Sequence, residues 1–406
     1  MRFDLLLHGG HVIDPKNGID GPKDVAVAAG KIAAVDDAIP PGQAAKVVDV
    51  SGLFVVPGLV DIHVHLYATA GNRDAWAGDY SILPDGFSFR TGVTTMVDTG
   101  SAGRRNFEDF RFRVLDRCAT RTYAFVNIAG FGMANIEAEQ NIYDMDPRRT
   151  ADLAREHTDK IVGIKTAHYE LPDWVSVERT IEAGVLADLP AMVDFGYFRR
   201  ERPYYELVGR KLRAGDISTH CFRGPVPCVD ADGHVLPYLY EARKRGVLFD
   251  VGHGGGSFVF GNVLPCIRQG FYPDTISTDL HCLSMNLGML DMTTTMSKFL
   301  VMGMPLHDVI RASTIAAGEA IGHPEHGHLS VGAAADVAVL NLLRGSFGFM
   351  DSFGGTFPGD QRLVCELTLK DGRAVWDWNG RSGVDYRQMG GAVGIRPVEE
   401  RVMPPA

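Results

Sequence analysis

The 406-residue chain is 45% hydrophobic and 22% charged, a balance that suits a globular protein with a sizeable core. A formal net charge of −10 argues against nucleic acid as a partner. No stretch of eighteen uninterrupted apolar residues, no signal-length apolar run in Met1–Gly10 and six cysteines without a C-x-x-C pattern point to no membrane span, reduced thiols and a cytoplasmic setting.

Residues 1–57 read as all-β. Leu5–Leu7, Val12–Ile13, Val25–Val27, Lys31–Val35 and Val47–Val50 are short β-prone runs broken by Gly9-Gly10, Asn17-Gly18 and Ala29-Gly30. The same texture returns at Ala335–Leu340, Leu363–Leu369 and Ala374–Trp378, with Lys370-Asp371-Gly372-Arg373 as a hairpin turn. Neither part has enough strands to stand alone. Residues 1–57 and 331–381 are therefore expected to pair into one small flanking β-sandwich domain.

Between them, residues 58–330 alternate β-type runs with helical stretches. The runs are Val55–Ile62, Thr94–Asp98, Thr122–Ile128, Ile161–Lys165, Ala191–Asp194, Asp216–His220, Val247–Val251 and Thr275–Asp279; Phe107–Cys118, Val177–Ala187 and Leu236–Arg245 have helical character. Such runs, recurring roughly every 25–37 residues, are the rhythm of a (β/α)8 TIM barrel. From Ser382 to Ala406 the chain is rich in Gly, Pro and charge, which suits a surface tail or a contact in a homo-oligomer.

The first of these runs ends in His63-Val64-His65. Side chains alternate along a strand, so the two imidazoles leave one side and can chelate a divalent cation. A bare His-x-His is as readily a pair of half-exposed histidines. Active sites of such barrels, however, lie at the C-terminal ends of the strands. Those ends carry His63 and His65, then Lys165, Asp194, His220, His253 and Asp279, the makings of a pocket for one or two divalent metals.

Seven stretches carry a family resemblance: Pro57–His65, Arg90–Thr95, Val162–Lys165, Thr219–Phe222, Asp250–Gly255, Ile276–His281 and Gly327–Asp336. Together, over about residues 5–380, the chain resembles the amidohydrolase superfamily of metal-dependent hydrolases, near the dihydroorotases, dihydropyrimidinases and deacetylases. The resemblance implies that His63, His65 and Asp279 bind the more buried of two metals and His220 the more exposed one. It implies that Lys165 is N6-carboxylated and bridges two divalent ions, zinc or else manganese. It further implies a metal-bridging hydroxide as nucleophile, with Asp279 as general base and then acid.

At Asp194 the chain departs from the family, which usually offers a second histidine there. A carboxylate can ligate zinc or favour the harder manganese, or Asp194 ligates nothing and the centre is mononuclear. His253, in a glycine-rich loop, and His281 are candidates for substrate contact. Tyr169, Arg199, Arg200 and Arg202 follow the fourth and fifth runs and either grip a substrate carboxylate or are solvated. His323, His326 and His328 read as surface histidines. The expected reaction is hydrolysis of an amide in a small polar molecule, most closely a deacetylation. Cyclic amides, esters and a non-catalytic scaffold are the alternatives.

Overall fold

The computed structural model describes residues 1–68 and 81–388; most of the tail expected from Ser382 lies outside the described residues. Two sheets account for the strands. The first mixes both ends of the chain: β1 (Phe3–Asp14), β2 (Ile19–Ala28), β3 (Lys31–Asp36), β4 (Ala44–Asp49) and β5 (Phe54–Pro57) join three strands from the C-terminal part. The second holds seven parallel strands: β6 (Leu59–Val64), β7 (Val93–Gly103), β8 (Arg121–Asn127), β9 (Ile161–Thr166), β10 (Ala191–Asp194), β11 (Ile217–Thr219) and β12 (Leu248–Phe249). The last three strands of the first sheet are β13 (Val337–Met350), β14 (Thr356–Lys370) and β15 (Arg373–Asp377).

The run Val55–Ile62 is thus two strands in two sheets, and the break falls at Gly58. Its N–H donates to Asp336 O at 2.8 Å. A Cβ at this position would lie 2.3 Å from Thr94 Oγ1, so only glycine lets the chain pass between sheets here. Beyond it, β6, β7 and β9 are buried along their whole length. Buried on both faces, these strands read as apolar runs rather than alternating patterns. One apolar cluster takes Val60 and Ile62, Val97, Phe125, Val162, Met192 and Ile217 from successive strands and is capped by Ala317 and Ile321.

The eighth position of the barrel is filled by residues 275–280 without a regular strand. Bridges from Asp250 to Thr275 and from Val64 to Leu280 place this segment between β12 and β6. Asp279 N donates to His63 O at 2.7 Å and His65 N to Leu280 O at 3.0 Å, which closes the ring. The ladder keeps backbone rungs such as Val251 N to Thr275 O and Gly254 N to Thr278 O, and side chains add bonds of their own. Thr278 N donates to Asp61 Oδ1, Gly252 N donates to Ser277 Oγ, and Asp279 has a left-handed φ of 52°.

In the flanking sheet the order is β15-β14-β13-β5-β1-β2-β3, with β4 also pairing β1. Ala335 N donates to Gly30 O and Ile32 N to Ala333 O, so the β2–β3 turn meets the entry to β13. Leu5, Leu7, Val25, Val27, Val55, Val337, Val339, Leu367 and Leu369 then share one core of their own. β13 and β14 run on past this core, and Leu363 N donates to Ser297 Oγ on the buried helix Met292–Val301.

Asp336 fastens the two sheets together. Its carboxylate accepts from Arg121 at the start of β8, from Lys370 Nζ at 3.2 Å and from Asp371 N at 2.9 Å. Asp336→Ala leaves the nearly buried Lys370 and Arg121 without this partner. Stability should fall by roughly 3 kcal/mol, as for other broken buried ion pairs, read as a lowered denaturant midpoint.

Candidate metal centre

The ends of β6, β9, β10 and β11 and the closing segment 275–280 bring His63, His65, Lys165, Asp194, His220 and Asp279 together, all of them buried. Thr219 Oγ1 donates to Asp250 Oδ2 at 2.7 Å, so it must accept from His63 Nδ1, 2.8 Å away. That fixes the tautomer and puts the His63 lone pair on Nε2. His63 Nε2 lies 3.6 Å from Asp279 Oδ1, and His65 Nε2 lies 2.9 Å from the same oxygen. His65 Nδ1 meets Ser101 Oγ at 2.9 Å. His63, His65 and Asp279 thus offer three donor atoms within reach of one cation.

The electrostatics favour a cation too. Burial, and then the neighbouring Lys165, push His63 down to about 3, so it is a neutral ligand at any ordinary pH. Burial opposes the charge of Asp279, yet the imidazoles of His63, His65 and His281 outweigh it and hold the carboxyl well below its usual range. Gly254 packs on this carboxylate so closely that a Cβ would lie 2.2 Å from Oδ2.

Lys165 is fully buried on β9. Its Nζ makes only a long contact to His63 Nε2, at 3.4 Å, and one to the weakly accepting Met192 Sδ at 3.6 Å. Burial lowers its pKa, against the pull of Asp194, Asp279 and Asp250. A neutral amine in such a place is open to carboxylation.

Around Asp194 the geometry differs. Its Oδ1 accepts from Gly196 N at 2.7 Å and Arg223 Nη1 at 3.1 Å. Its Oδ2 is buried without a hydrogen bond, 3.6 Å from His220 Nε2 and 3.8 Å from His168 Nε2. His220 Nδ1 donates to Gly252 O at 2.6 Å.

A cavity of 270 Å³ opens over these groups, lined among others by Glu139, His168, Arg223, His281 and the backbone of Gly255 and Gly256. His281 is therefore where substrate could meet it. His253 is not. It is wholly buried, stacked on Phe258, and its Nε2 accepts from Lys298 Nζ at 2.7 Å. Tyr169 donates to Asp173, Arg199 to Glu170 O and Arg202 to Tyr169 O, and none of the three lines the cavity. Sequence reasoning missed His168, Arg223 and Glu139. The first two had a signal: each stands three residues beyond a strand-end candidate, in Lys165-Thr166-Ala167-His168 and His220-Cys221-Phe222-Arg223. His323 and His326 lie outside the cavity, where they stack on each other and on Tyr123.

The Asp250–Thr219–His63 relay generates a prediction. Thr219→Val keeps the shape but removes the acceptor for His63 Nδ1–H. Metal affinity should drop about 10–100-fold, measured by competition with a chromogenic chelator.

No protein-family model matches the chain. It is 34% identical over 336 residues to a deacetylase from Agrobacterium fabrum, covering 80% of this chain and 79% of that protein. A deacetylase from Enterococcus faecalis is 28% identical over 396 residues, covering 92% and 99%. Among solved structures, an adenine deaminase matches with a TM-score of 0.83 at 26% identity over 92% of this chain and 100% of that one. A dihydroorotase matches with a TM-score of 0.77 at 30% identity, over 92% and 99%. With these relatives and a buried His-His-Asp group at the strand ends of its barrel, the chain belongs to the amidohydrolase superfamily, in the branch of the dihydroorotases and deacetylases, and is a hydrolase of carbon–nitrogen bonds.

Proposed function

We propose that the protein is a metal-dependent deacetylase acting on an N-acetylated small polar molecule, and that Asp279 is its proton carrier. The observation that carries this reading is the convergence of His63 Nε2, His65 Nε2 and Asp279 Oδ1 beside the buried Lys165. The donor set fits zinc, with manganese as the harder alternative. We assign His63, His65 and Asp279 to a first ion, His220 and Asp194 to a second, and a carboxylated Lys165 to both. Ions held there lower the pKa of water and polarise an acyl carbonyl.

The rest falls to the chain's own groups. Asp279 is ionised, so it can accept the proton of the attacking water. The same carboxyl then delivers the proton to the leaving nitrogen. His281, held to about 4 chiefly by burial, is neutral and can hydrogen-bond substrate at the rim. The backbone of Gly255 and Gly256 lets a substrate come close. The deacetylase relatives support the acetyl specificity, and the dihydroorotase likeness makes a cyclic amide the second reading. Six free thiols fit a reducing, cytoplasmic setting.

Substrate preference, chelation and substitution of Asp279 test this. Zinc- and manganese-loaded protein should release acetate from N-acetylated amino acids in preference to opening cyclic imides or cleaving acetylated hydroxy acids. Chelation should abolish turnover, and Asp279→Asn should lower kcat on the order of 1,000-fold. Preferential ring opening would move the assignment to the cyclic amides, and full activity after chelation would end the metal reading. Carboxylation of Lys165 makes a separate demand. Apoprotein loaded in CO2-depleted buffer should take up less metal, and bicarbonate should restore uptake in wild type but not in Lys165→Ala.

A further inference from the structure

His168 stands at the end of the fourth barrel run, three residues past Lys165, with a left-handed φ of 49° that turns it away from the strand direction. A non-glycine residue rarely adopts that conformation, and His220 and Asp279 adopt it as well, with φ of 56° and 52°. The turn brings His168 Nε2 to 3.8 Å from Asp194 Oδ2, opposite His220 Nε2 at 3.6 Å from the same atom. These distances are too long for hydrogen bonds. They are close to the spacing of two donors on one cation, about 3.4 Å for tetrahedral zinc with bonds near 2.1 Å.

Each group around that point is prepared in the way a ligand is. Asp194 Oδ2 is buried and accepts no hydrogen bond, while Oδ1 is held by Gly196 N and Arg223. His220 donates its Nδ1 proton to Gly252 O. His168 Nδ1 lies 3.0 Å from Glu139 Oε2, and Glu139 is itself 97% withdrawn from solvent, with 3% exposure. A carboxylate can only accept, so His168 Nδ1 is the donor, and in the neutral imidazole Nε2 carries the lone pair. A carboxylate behind an imidazole is the usual outer support of a metal ligand.

We propose that His168 supplies the second histidine of the exposed metal site, sharing a divalent cation with His220 and Asp194, and that Glu139 is the positioning residue behind it. The histidine that strand β10 lacks at Asp194 is provided from the end of β9 instead. This rests on the metal-centre reading above and adds the ligand set of its second ion.

The test is metal stoichiometry and affinity with Co2+, read by elemental analysis after gel filtration and by the visible absorption of the bound ion, with no activity assay. Wild type should bind two equivalents. His168→Gln should keep the first, held by His63, His65 and Asp279, and bind the second on the order of 100-fold more weakly, with its absorption band altered. Glu139→Gln should weaken the second equivalent about 10-fold, as outer-support substitutions do. A His168→Gln protein that binds two equivalents like wild type overturns the proposal. So does a wild type that binds one equivalent, which leaves the buried site standing; a wild type that binds none removes the metal reading as well. Thermal melting of the apoproteins controls for folding. Should His168→Gln fail to fold, an unchanged second-equivalent band and affinity in Glu139→Gln overturns the assignment.

Discussion

An imidazole ligates a cation through a lone pair, and it keeps that lone pair on one nitrogen only where the other nitrogen has somewhere to place its proton. The centre of this protein is built on that constraint. His63 gives its Nδ1 proton to Thr219, which passes the bond on to Asp250; His220 gives its proton to Gly252 O. Both Nε2 atoms are then turned toward carboxylates, Asp279 for one and Asp194 for the other. The same rule shows why His253 belongs elsewhere. Its Nδ1 lies 2.8 Å from Gly254 O and its Nε2 accepts from Lys298, so neither nitrogen has a lone pair left for an ion.

The residues that orient ligands also close the barrel. Asp250 accepts from Thr219 on β11 and from Thr275 and Ser277 on the closing segment. Asp61 accepts from Thr278 Oγ1 and Thr278 N, and so ties that segment to β6 from the other side. Burial, helped by the nearby Asp250, pushes the Asp61 carboxyl up to about 7, against these hydrogen bonds. Two buried carboxylates thus flank the closing segment. The segment keeps backbone bonds on both sides, Gly254 N to Thr278 O and Asp279 N to His63 O among them, and the side-chain bonds add to these where Asp279 bends into the site.

How much of this the sequence could show depends on where the information sits. The runs ending in His63 and Lys165 were readable because strands buried on both faces are rich in apolar residues up to their polar ends, whereas those ending in His220 and Asp279 are short β-prone stretches of Ile, Ser and Thr. The break at Gly58 was not readable, since one apolar run serves two sheets and only the collision with Thr94 reveals why a glycine is there. β13 was legible only as far as Leu340. Its extension through Asn341–Met350 holds two glycines and an arginine, and it forms a strand because β14 pairs with it, not because of its own pattern. His168 and Arg223 escaped for a third reason. They sit past the strand ends, on turns whose direction depends on a backbone angle that no periodicity encodes.

Charge explains how the barrel can carry a buried Asp194 at the end of β10. An extra buried carboxylate is expensive unless it is paired. Arg223 lies on one oxygen, and with the cavity wall around it the pair is partly shielded from solvent. That guanidinium offsets the added negative charge without occupying Oδ2. Burial works against ionisation of Asp194, but His220, Arg223 and His168 outweigh it and keep the carboxyl well below its usual range. Arg223, three residues beyond His220, thus compensates the charge of Asp194. The sum of charges that ions in the centre would meet is close to that of a neutral ligand at the same place, and Oδ2 stays bare.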